Sequence, residues 1–252
     1  MNKSNFIKKF NSQGYVIIKN VITASKVKII KKEIEKAISQ EVAYQGTKNY
    51  PYYGYVLSNA YYGGEFIKIF SNKKITKYFD YILGKSSMVY SYTSSSMPPK
   101  SGNESSKIHV DQNIYLKDYI LRMGVIIPIS DFRIINGCTT YLPKSHQQEK
   151  KPSRSNYNKN KKYLTIKAGD AFYFNCRLWH SGEKNKTDEW RHAITINMCR
   201  PWMKQRVDIP ELIKDKIDIN KMSFSEKQKL GFFSIPPKTY DEYFKSKIVR
   251  IF

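Results

Sequence analysis

Between Met88 and Cys199 the sequence contains many short runs of alternating apolar and polar residues, separated by turn-forming residues. Successive side chains of a strand point to opposite faces, and β-branched and aromatic residues favour strands. Many short strands with turns between them are typical of an antiparallel sandwich or jelly roll, not of a parallel α/β sheet. The predicted strands are Tyr15 to Ile18, Met88 to Ser95, Ile108 to Leu116, Ile120 to Ile129, Thr139 to Leu142, Tyr163 to Ile166, Ala171 to Asn175 and Ala193 to Cys199.

Apolar residues at helical spacing are found near the N-terminus and predict an amphipathic helix from about Ala24 to Ser39. Its apolar stripe must cover another element, most simply a sheet face. Further helices are predicted from Asn5 to Phe10, before Gly14, and from Glu65 to Leu83, before Gly84. We therefore predict a mainly β fold with flanking helices, an antiparallel sandwich or jelly roll backed by N-terminal helices.

The length of 252 residues fits one large domain. We predict a single domain over residues 1–252, with a β core at about 87–200, N-terminal helical support at 1–86 and a C-terminal extension at 201–252. The strand from Ala193 carries small or polar residues on one face and apolar residues on the other. We expect a wet barrel interior on the first face and helices against the second. The inward set is Arg191, Ala193, Thr195 and Asn197, and the outward set is Ile194, Ile196 and Met198.

The formal net charge of +23 is extreme. It is compatible with a nucleic acid, an anionic membrane surface or an anionic small substrate, and equally with a genome rich in A and T that favours Lys, Asn and Ile. The basic residues are spread through the chain, which weakens the nucleic-acid interpretation. Cys138, Cys176 and Cys199 form no Cys-x-x-Cys pair and indicate a reduced compartment. The polar N-terminus and the lack of a bilayer-length apolar run lead us to expect a soluble, cytoplasmic protein.

Two polar or aromatic segments leave alternatives open, and a third has a single expectation. Residues 42–64, which include Asn49-Tyr50-Pro51-Tyr52-Tyr53-Gly54-Tyr55, predict an aromatic loop on the barrel rim or, alternatively, a wall of the substrate pocket. The Lys-rich segment from Ser145 to Lys162 predicts a solvated, mobile loop, and as an alternative a lid over an anionic substrate. The aromatic end of the chain is expected to pack back onto the domain; its residues are Tyr240, Tyr243, Phe244 and Phe252.

The candidate chemistry lies in His109 and Asp111, which are two positions apart, and in the distant His180. On a strand, an imidazole and a carboxylate at this spacing project from the same face. Two histidines and one carboxylate are the ligands of the facial triad, which binds Fe(II) and leaves positions open for oxygen and a cosubstrate. The alternatives without a metal site are that His180 is a core histidine and that Arg191 forms a surface salt bridge with Asp188 or Glu189. A lone His-x-Asp pair is weak evidence for a metal site, so the interpretation depends on its spacing to the other sequence elements.

Four segments resemble the phytanoyl-CoA dioxygenase family of 2-oxoglutarate oxygenases over about residues 6 to 200. Tyr15-Val16-Ile17-Ile18 resembles the opening strand, and His109-Val110-Asp111-Gln112 resembles the proximal metal motif. The segment from Gly169-Asp170 through Arg191 resembles the family's distal motif. The segment Gly137-Cys138-Thr139-Thr140-Tyr141-Leu142-Pro143-Lys144-Ser145-His146 resembles a further family motif, with Lys144 where the family usually has Gly.

The resemblance implies a double-stranded β-helix (jelly-roll, cupin-like) barrel backed by N-terminal helices, and it also implies roles for individual residues. His109, Asp111 and His180 would bind Fe(II), 2-oxoglutarate would chelate the metal, and O2 would be the oxidant. Arg191 would bind the far carboxylate of 2-oxoglutarate through its planar guanidinium. A hydroxyl usually assists there, and Tyr92, Thr139 and Thr195 are the candidates. His146 matches a position that is not a ligand, and His192 alternates outward from Arg191.

A carboxylate at position 111 favours hydroxylation over halogenation by family resemblance, with desaturation or ring chemistry left open. We expect a small-molecule substrate, and the excess of basic over acidic residues favours an anionic one. The alternatives are a non-catalytic jelly-roll protein that binds a metal or ligand, and a nucleic-acid-directed oxygenase. Succinate release with oxygen uptake would distinguish an oxygenase from the first alternative, the non-catalytic protein. A basic stripe beside the metal site would support the second alternative. The sequence indicates no oligomeric state.

Overall fold

The computed structural model describes residues 1–45 and 52–245. Its strands are Tyr15–Ile18 (β1), Tyr55–Val56 (β2), Met88–Ser95 (β3), Arg122–Pro128 (β4), Thr139–Tyr141 (β5), Lys162–Tyr163 (β6), Ala171–Asn175 (β7), His180–Gly182 (β8) and Ala193–Cys199 (β9). They form two antiparallel sheets, one with six strands in the order β1-β7-β4-β9-β3-β2 and one with three in the order β6-β5-β8.

The inner faces of the two sheets meet in an aromatic cluster. Tyr141 of β5 packs on Phe172 of β7 with ring centroids 4.9 Å apart, and Phe172 stacks on Phe174 at 5.7 Å. Chain-distant strands pair within the large sheet, as β1 with β7 and β3 with β9. This antiparallel two-sheet arrangement with flanking helices confirms the predicted fold class.

Helices surround the two sheets, and several of them cover the outer face of the large sheet. The α-helices are Lys3–Gln13 (α1), Ala24–Gln45 (α2), Glu65–Lys68 (α3), Lys73–Leu83 (α4), Arg154–Asn160 (α5), Ile209–Ile213 (α6), Phe224–Leu230 (α7) and Tyr240–Lys245 (α8). Short 3₁₀ helices occupy Asn59–Tyr62, Ile69–Ser71, Glu104–Ser106, Ser145–Gln147 and Ile219–Lys221. No helix of the described chain combines the length and the apolar character needed to cross a bilayer.

The largest core lies between these helices and the sheet. Ile34 of α2 and Phe79 of α4 are buried there with Ile194, Ile196 and Met198 of β9. The predicted outward face of β9 is therefore confirmed, and it places Arg191 and Asn197 on the opposite, interior side. Gly14 ends α1 in the left-handed conformation, with φ of 83°. A Cβ on Gly14 would overlap Nδ1 of His146, so this close approach also requires glycine.

The segment from Ile108 to Leu116 is not a strand, contrary to the prediction. Only His109 pairs, in an isolated bridge with His180. Beyond it the guanidinium of Arg177 binds the backbone carbonyls of Gln112 and Asn113, at 3.2 and 3.1 Å. These carbonyls therefore find their partner in a side chain and not in a neighbouring strand.

The predicted helix from Glu65 to Leu83 is interrupted at Asn72. The side chain of Asn72 accepts a hydrogen bond from the backbone N–H of Lys74 and caps the start of α4. Before it the chain forms the short α3 and a 3₁₀ turn. The break lets two short helices cover the sheet, and α4 ends before Gly84 as predicted.

The Lys-rich segment from Ser145 to Lys162 is ordered, where a mobile loop was predicted. Ser153 caps α5, and Tyr157 of this helix is only 1% exposed. The Tyr157 hydroxyl donates to the carbonyl of Thr140 at 3.0 Å, which attaches the helix to β5. In the tail, Tyr240 and Phe244 are exposed and contact each other instead of the domain, contrary to expectation, and Phe252 lies outside the described residues.

Replacing Tyr157 with alanine should lower the free energy of unfolding by about 3 kcal/mol, because a buried aromatic ring is lost. It should also increase trypsin cleavage in the Lys-rich segment relative to the wild type. Limited proteolysis and chemical denaturation measure both effects. Asn158→Ala, an exposed position on the same helix, is the matched control. Equal cleavage of the Tyr157 variant and this control would show that α5 is not held by the tyrosine.

Candidate metal centre

Two histidines meet through their own backbones. His109 and His180 exchange both N–H to carbonyl hydrogen bonds, each at 2.9 Å, so a single bridge joins the irregular segment to the start of β8. Their rings lie 4.2 Å apart between centroids. The bridge therefore brings together two imidazoles that are far apart in sequence.

Each imidazole is held by its Nδ1 atom. The Nδ1 of His109 is 2.7 Å from the carbonyl of Lys107, and the Nδ1 of His180 is 2.9 Å from the carbonyl of Leu178. A carbonyl only accepts, so both Nδ1 atoms carry the proton and donate it. The Nε2 lone pairs are then free for a cation, as metal-binding histidines require.

Asp111 completes the cluster. Its Oδ1 lies 3.5 Å from Nε2 of His109 and 3.7 Å from Nε2 of His180, while its Oδ2 accepts a hydrogen bond from the Asn197 amide at 3.1 Å. Burial alone would raise the pKa of the Asp111 carboxyl, but its interactions with the imidazoles of His180 and His109 and the hydrogen bond from the Asn197 amide outweigh burial and keep the pKa well below its usual range. Asp111 is therefore a carboxylate at neutral pH.

The donor set fits a divalent transition metal. One nitrogen or oxygen atom from each of His109, Asp111 and His180 lies within 4.8 Å of the other two. Burial lowers the pKa of His180 to about 4, which keeps its imidazole neutral. Imidazole and carboxylate ligands from three residues, with the remaining positions open, are the arrangement that non-heme Fe(II) enzymes use. The side chain of His109 is 37% exposed against 9% for His180, so the cluster opens to solvent on the His109 side.

Arg191 is a buried cation on the interior face. It is 2% exposed, its Nη1 donates to the carbonyl of Ser95 at 3.2 Å, and its guanidinium lies 4.6 Å from the ring centroid of Phe132. Its Nε has no hydrogen-bond partner among the described residues. Burial lowers the pKa of Arg191 to about 10, so it remains charged at neutral pH. A buried guanidinium with free donors is suited to bind a carboxylate.

The family model described as Phytanoyl-CoA dioxygenase (PhyH) matches residues 10–193. The chain belongs to the phytanoyl-CoA dioxygenase family. Membership confirms the resemblance read from the sequence and the predicted enzyme class, an Fe(II)- and 2-oxoglutarate-dependent dioxygenase.

Two proteins are similar to this chain over most of its length. An uncharacterized protein of Mycobacterium bovis is 22% identical over 250 residues, which cover 96% of this chain and 91% of that protein. The peroxisomal phytanoyl-CoA dioxygenase of Homo sapiens is 22% identical over 225 residues, which cover 75% of this chain and 66% of the human protein.

Two solved structures share the fold. The epimerase SnoN, in complex with Fe3+, alpha ketoglutarate and nogalamycin RO, has a TM-score of 0.65 at 16% identity and covers 88% of this chain and 92% of its own. EctD from S. alaskensis, with 2-oxoglutarate and 5-hydroxyectoine, has a TM-score of 0.65 at 14% identity and covers 79% of this chain and 76% of its own. At these identities the likeness concerns the fold.

In this member of the phytanoyl-CoA dioxygenase family, the three residues predicted to offer a hydroxyl to 2-oxoglutarate lie in different places. Thr195 shares the interior face with Arg191, and its Oγ1 is 3.1 Å from Oγ of Ser95. Thr139 lies in β5 two positions from the inward Tyr141 and opposite Gly182. Tyr92 packs on Phe70, at 5.3 Å between ring centroids, on the helix-covered face. That placement argues against the predicted cosubstrate contact of Tyr92, whereas Thr139 and Thr195 stay predictions.

Tyr55 was not singled out from the sequence, although it belongs to the aromatic segment for which a pocket wall was an alternative. Burial raises the pKa of the Tyr55 phenol to about 12, and the charges of Arg191 and Asp111 both act on it. The phenol is thus a neutral hydrogen-bond donor close to the centre. Its location supports the pocket-wall alternative for residues 52–64, while residues 46–51 of that segment lie outside the described residues.

Replacing Gly124 with alanine should weaken metal binding. A Cβ there would overlap the ring of Phe174 and lie 2.8 Å from Oδ1 of Asn197. Phe174 contacts the His180 ring at 5.3 Å between centroids, and Asn197 holds Asp111. We expect about ten-fold weaker Fe(II) binding in anaerobic equilibrium dialysis, because groups that orient metal ligands contribute about that much.

Two variants test this interpretation of Gly124. Asn197→Ala removes the hydrogen bond to Asp111 without adding bulk and should weaken binding in the same direction. Gly102→Ala is the control, because its added Cβ meets mainly the side chain of Ser106. Wild-type affinity in the Gly124 variant would mean that the ring and the amide move without disturbing the ligands.

Proposed function

We propose that this chain hydroxylates an unactivated C–H bond of a small, anionic metabolite, with release of succinate and CO2. The observation that carries the proposal is the cluster of His109, Asp111 and His180 together with the buried Arg191, whose Nε has no hydrogen-bond partner among the described residues. In this proposal the first three residues bind Fe(II). Arg191 binds the far carboxylate of 2-oxoglutarate, with Thr195 and Thr139 as candidate hydroxyl contacts.

The protein residues would supply geometry and charge. Bound Fe(II) with 2-oxoglutarate and O2 supplies the oxidative chemistry. The backbone bridge between His109 and His180 fixes the two Nε2 atoms, and Asn197 fixes the carboxylate of Asp111. The Tyr55 phenol stays protonated and offers a donor near Arg191. The aromatic ring of Phe174 lies edge-to-face against the imidazole of His180, with ring centroids 5.3 Å apart, and limits the positions open to that imidazole.

The anionic character of the substrate is supported by the net charge of +23. It is also supported by the buried cations Arg191 and Arg122, which form no ion pair with a carboxylate of the described residues. The three cysteines are free and buried, which supports the cytoplasm as the site of action.

Anaerobic reconstitution with Fe(II) and 2-oxoglutarate, followed by admission of oxygen in the presence of a metabolite extract, tests the proposal. Mass spectrometry should show succinate together with a metabolite that has gained one oxygen atom. Succinate formation without any changed metabolite would leave the enzyme class intact and reject the substrate class tested. An absence of succinate under all conditions would reject oxygenase turnover and favour a binding protein.

A nucleic-acid-directed oxygenase is the second candidate, and one observation favours it. A groove of about 660 Å³ borders Ile108 and Ser181, the neighbours of two proposed ligands. Its basic residues are Lys107, Lys151, Arg154, Lys161 and Lys184. Lys107 and Lys161 are paired with Glu104 and Glu183, at 2.6 and 2.5 Å, which reduces the positive charge of the groove.

The groove is tested by binding of single-stranded DNA at low and physiological salt. Nucleic-acid recognition predicts a steep loss of affinity with salt. It also predicts a further loss of affinity in the triple variant Lys151→Gln, Arg154→Gln and Lys184→Gln. Weak binding that is unchanged in this variant would leave the small-molecule substrate as the better proposal.

A further inference from the structure

The interior face of the large sheet is polar and remains partly open to solvent. On β3 the partly exposed positions alternate with positions that the helices bury completely. The partly exposed set on β3 is Tyr90, Ser91, Thr93 and Ser95. Facing them on β9 are Thr195 and Asn197, and the Asn197 amide is hydrogen-bonded to Asp111. A ligand in the barrel would therefore contact hydroxyls and amides around the proposed metal ligands.

Arg122 is a second cation on this face. It begins β4 and is 7% exposed. Its Nη2 donates to the backbone carbonyl of Asp111, and this is the only hydrogen bond of the Arg122 side chain among the described residues. No carboxylate of the described chain forms an ion pair with it. A guanidinium has five N–H groups, so most of its donors are left for a ligand.

A bulge in β3 places an aromatic ring under Arg122. The β3–β9 register shifts between Val89 and Ser91, which leaves Tyr90 as the extra residue. The guanidinium carbon of Arg122 lies 4.1 Å from the ring centroid of Tyr90. The ring and the Asp111 carbonyl therefore hold the guanidinium in one plane and one place before any ligand binds.

Arg122 and Arg191 lie on different sides of the proposed ligands. Arg122 is in register with Cys199, Asn197 contacts Asp111, and Arg191 precedes the first residue of β9. Strand residues advance by about 3.3 Å each, so the two ends of this stretch are well separated. A cosubstrate that reaches from the metal to Arg191 leaves the Arg122 side free for the primary substrate.

We propose that Arg122, held on Tyr90, binds the oxyanion of the primary substrate, a carboxylate or phosphate group, and so determines specificity. This inference rests on the function proposed above and names the residue that selects the charged group. Each charge-assisted hydrogen bond from a guanidinium to an oxyanion contributes enough to change affinity by about ten-fold or more.

The test uses protein loaded with Mn(II) and saturated with 2-oxoglutarate, which occupies Arg191. Inorganic phosphate is followed by phosphorus NMR relaxation and acetate by proton NMR relaxation, because a paramagnetic ion relaxes only nuclei held near it. At least one of the two anions should be relaxed in the wild type, and the pair distinguishes a phosphate from a carboxylate site. Arg122→Gln should weaken that binding by about ten-fold or more.

Three further variants separate binding from folding. Arg122→Lys should retain part of the affinity, because the charge remains without the planar fork. Tyr90→Leu leaves Arg122 and its bond to Asp111 in place and should weaken binding several-fold, since the stacking is lost. Arg133→Gln, at an exposed arginine, should match the wild type.

Several results would overturn the assignment of Arg122. They are relaxation of neither anion, relaxation that persists in Arg122→Gln, and loss of Mn(II) itself in that variant, which would make Arg122 a positioning residue for Asp111. Failure of the wild type to bind 2-oxoglutarate with the metal would instead reject the proposed function.

Discussion

Asp111→Asn will lose Fe(II) binding while the fold is retained. The substitution keeps the side-chain volume but replaces a carboxylate with a neutral amide. The new NH2 group would either face the Nε2 atoms of the two histidines or oppose the amide of Asn197, which now donates to Oδ2. Even groups that only orient a ligand contribute about 10–100-fold to metal affinity, so we expect a loss of at least about 100-fold. Anaerobic equilibrium dialysis with Fe(II) measures it.

The matched control is Asp118→Asn. Asp118 is exposed and has φ of 59°, a conformation that asparagine tolerates well. It lies in the same irregular segment as Asp111, so it controls for a general effect on this segment. Iron affinity in Asp111→Asn equal to that of the control would show that the cluster is not the metal site.

Arg191→Met will separate function from stability. The buried guanidinium has an unpartnered Nε and no ion pair among the described residues, and burial lowers its pKa to about 10. Burying such a charge is costly, and an apolar residue of similar size removes the cost. We therefore expect the cosubstrate-free variant to be as stable as the wild type or about 1 kcal/mol more stable. Its affinity for 2-oxoglutarate should fall by about 100-fold, because two charge-assisted hydrogen bonds are lost.

Chemical denaturation and 2-oxoglutarate titration of the metal-loaded protein give the two readouts. Arg191→Lys should lie between the wild type and Arg191→Met in affinity, since it keeps the charge but not the fork. Arg133→Met, at an exposed position, should change neither quantity. A strongly destabilised Arg191→Met with unchanged 2-oxoglutarate affinity would assign Arg191 to the core instead.

Three strands were predicted with the bounds that the structure shows. Ala171–Asn175 and Ala193–Cys199 begin and end where the sequence indicates, and so does Met88–Ser95. In β9 the alternation is set locally, by apolar residues at even positions that only a core accommodates. The three proposed metal ligands were found through residue type and spacing, because few side chains bind iron.

Features determined by distant partners were missed. The backbone after His109 is held by Arg177, more than sixty positions away, and no local pattern reveals that hydrogen bonding. The helix around Tyr157 depends on its bond to Thr140. The bulge at Tyr90 reverses the alternation of β3, so that Tyr90 meets Arg122 inside and Tyr92 meets the helices. A strict period of two does not anticipate such a reversal.

The two-faced character of β9 has a consequence for how such a protein evolves. A slip of this strand by one residue would turn Arg191 and Asn197 toward the helices and expose Ile194 and Ile196 to water at the same moment. Selection against aggregation and misfolding therefore also preserves the alignment of the chemical groups. New substrate preferences can be sampled by changing single inward side chains, while the outward half of the same strand maintains the architecture.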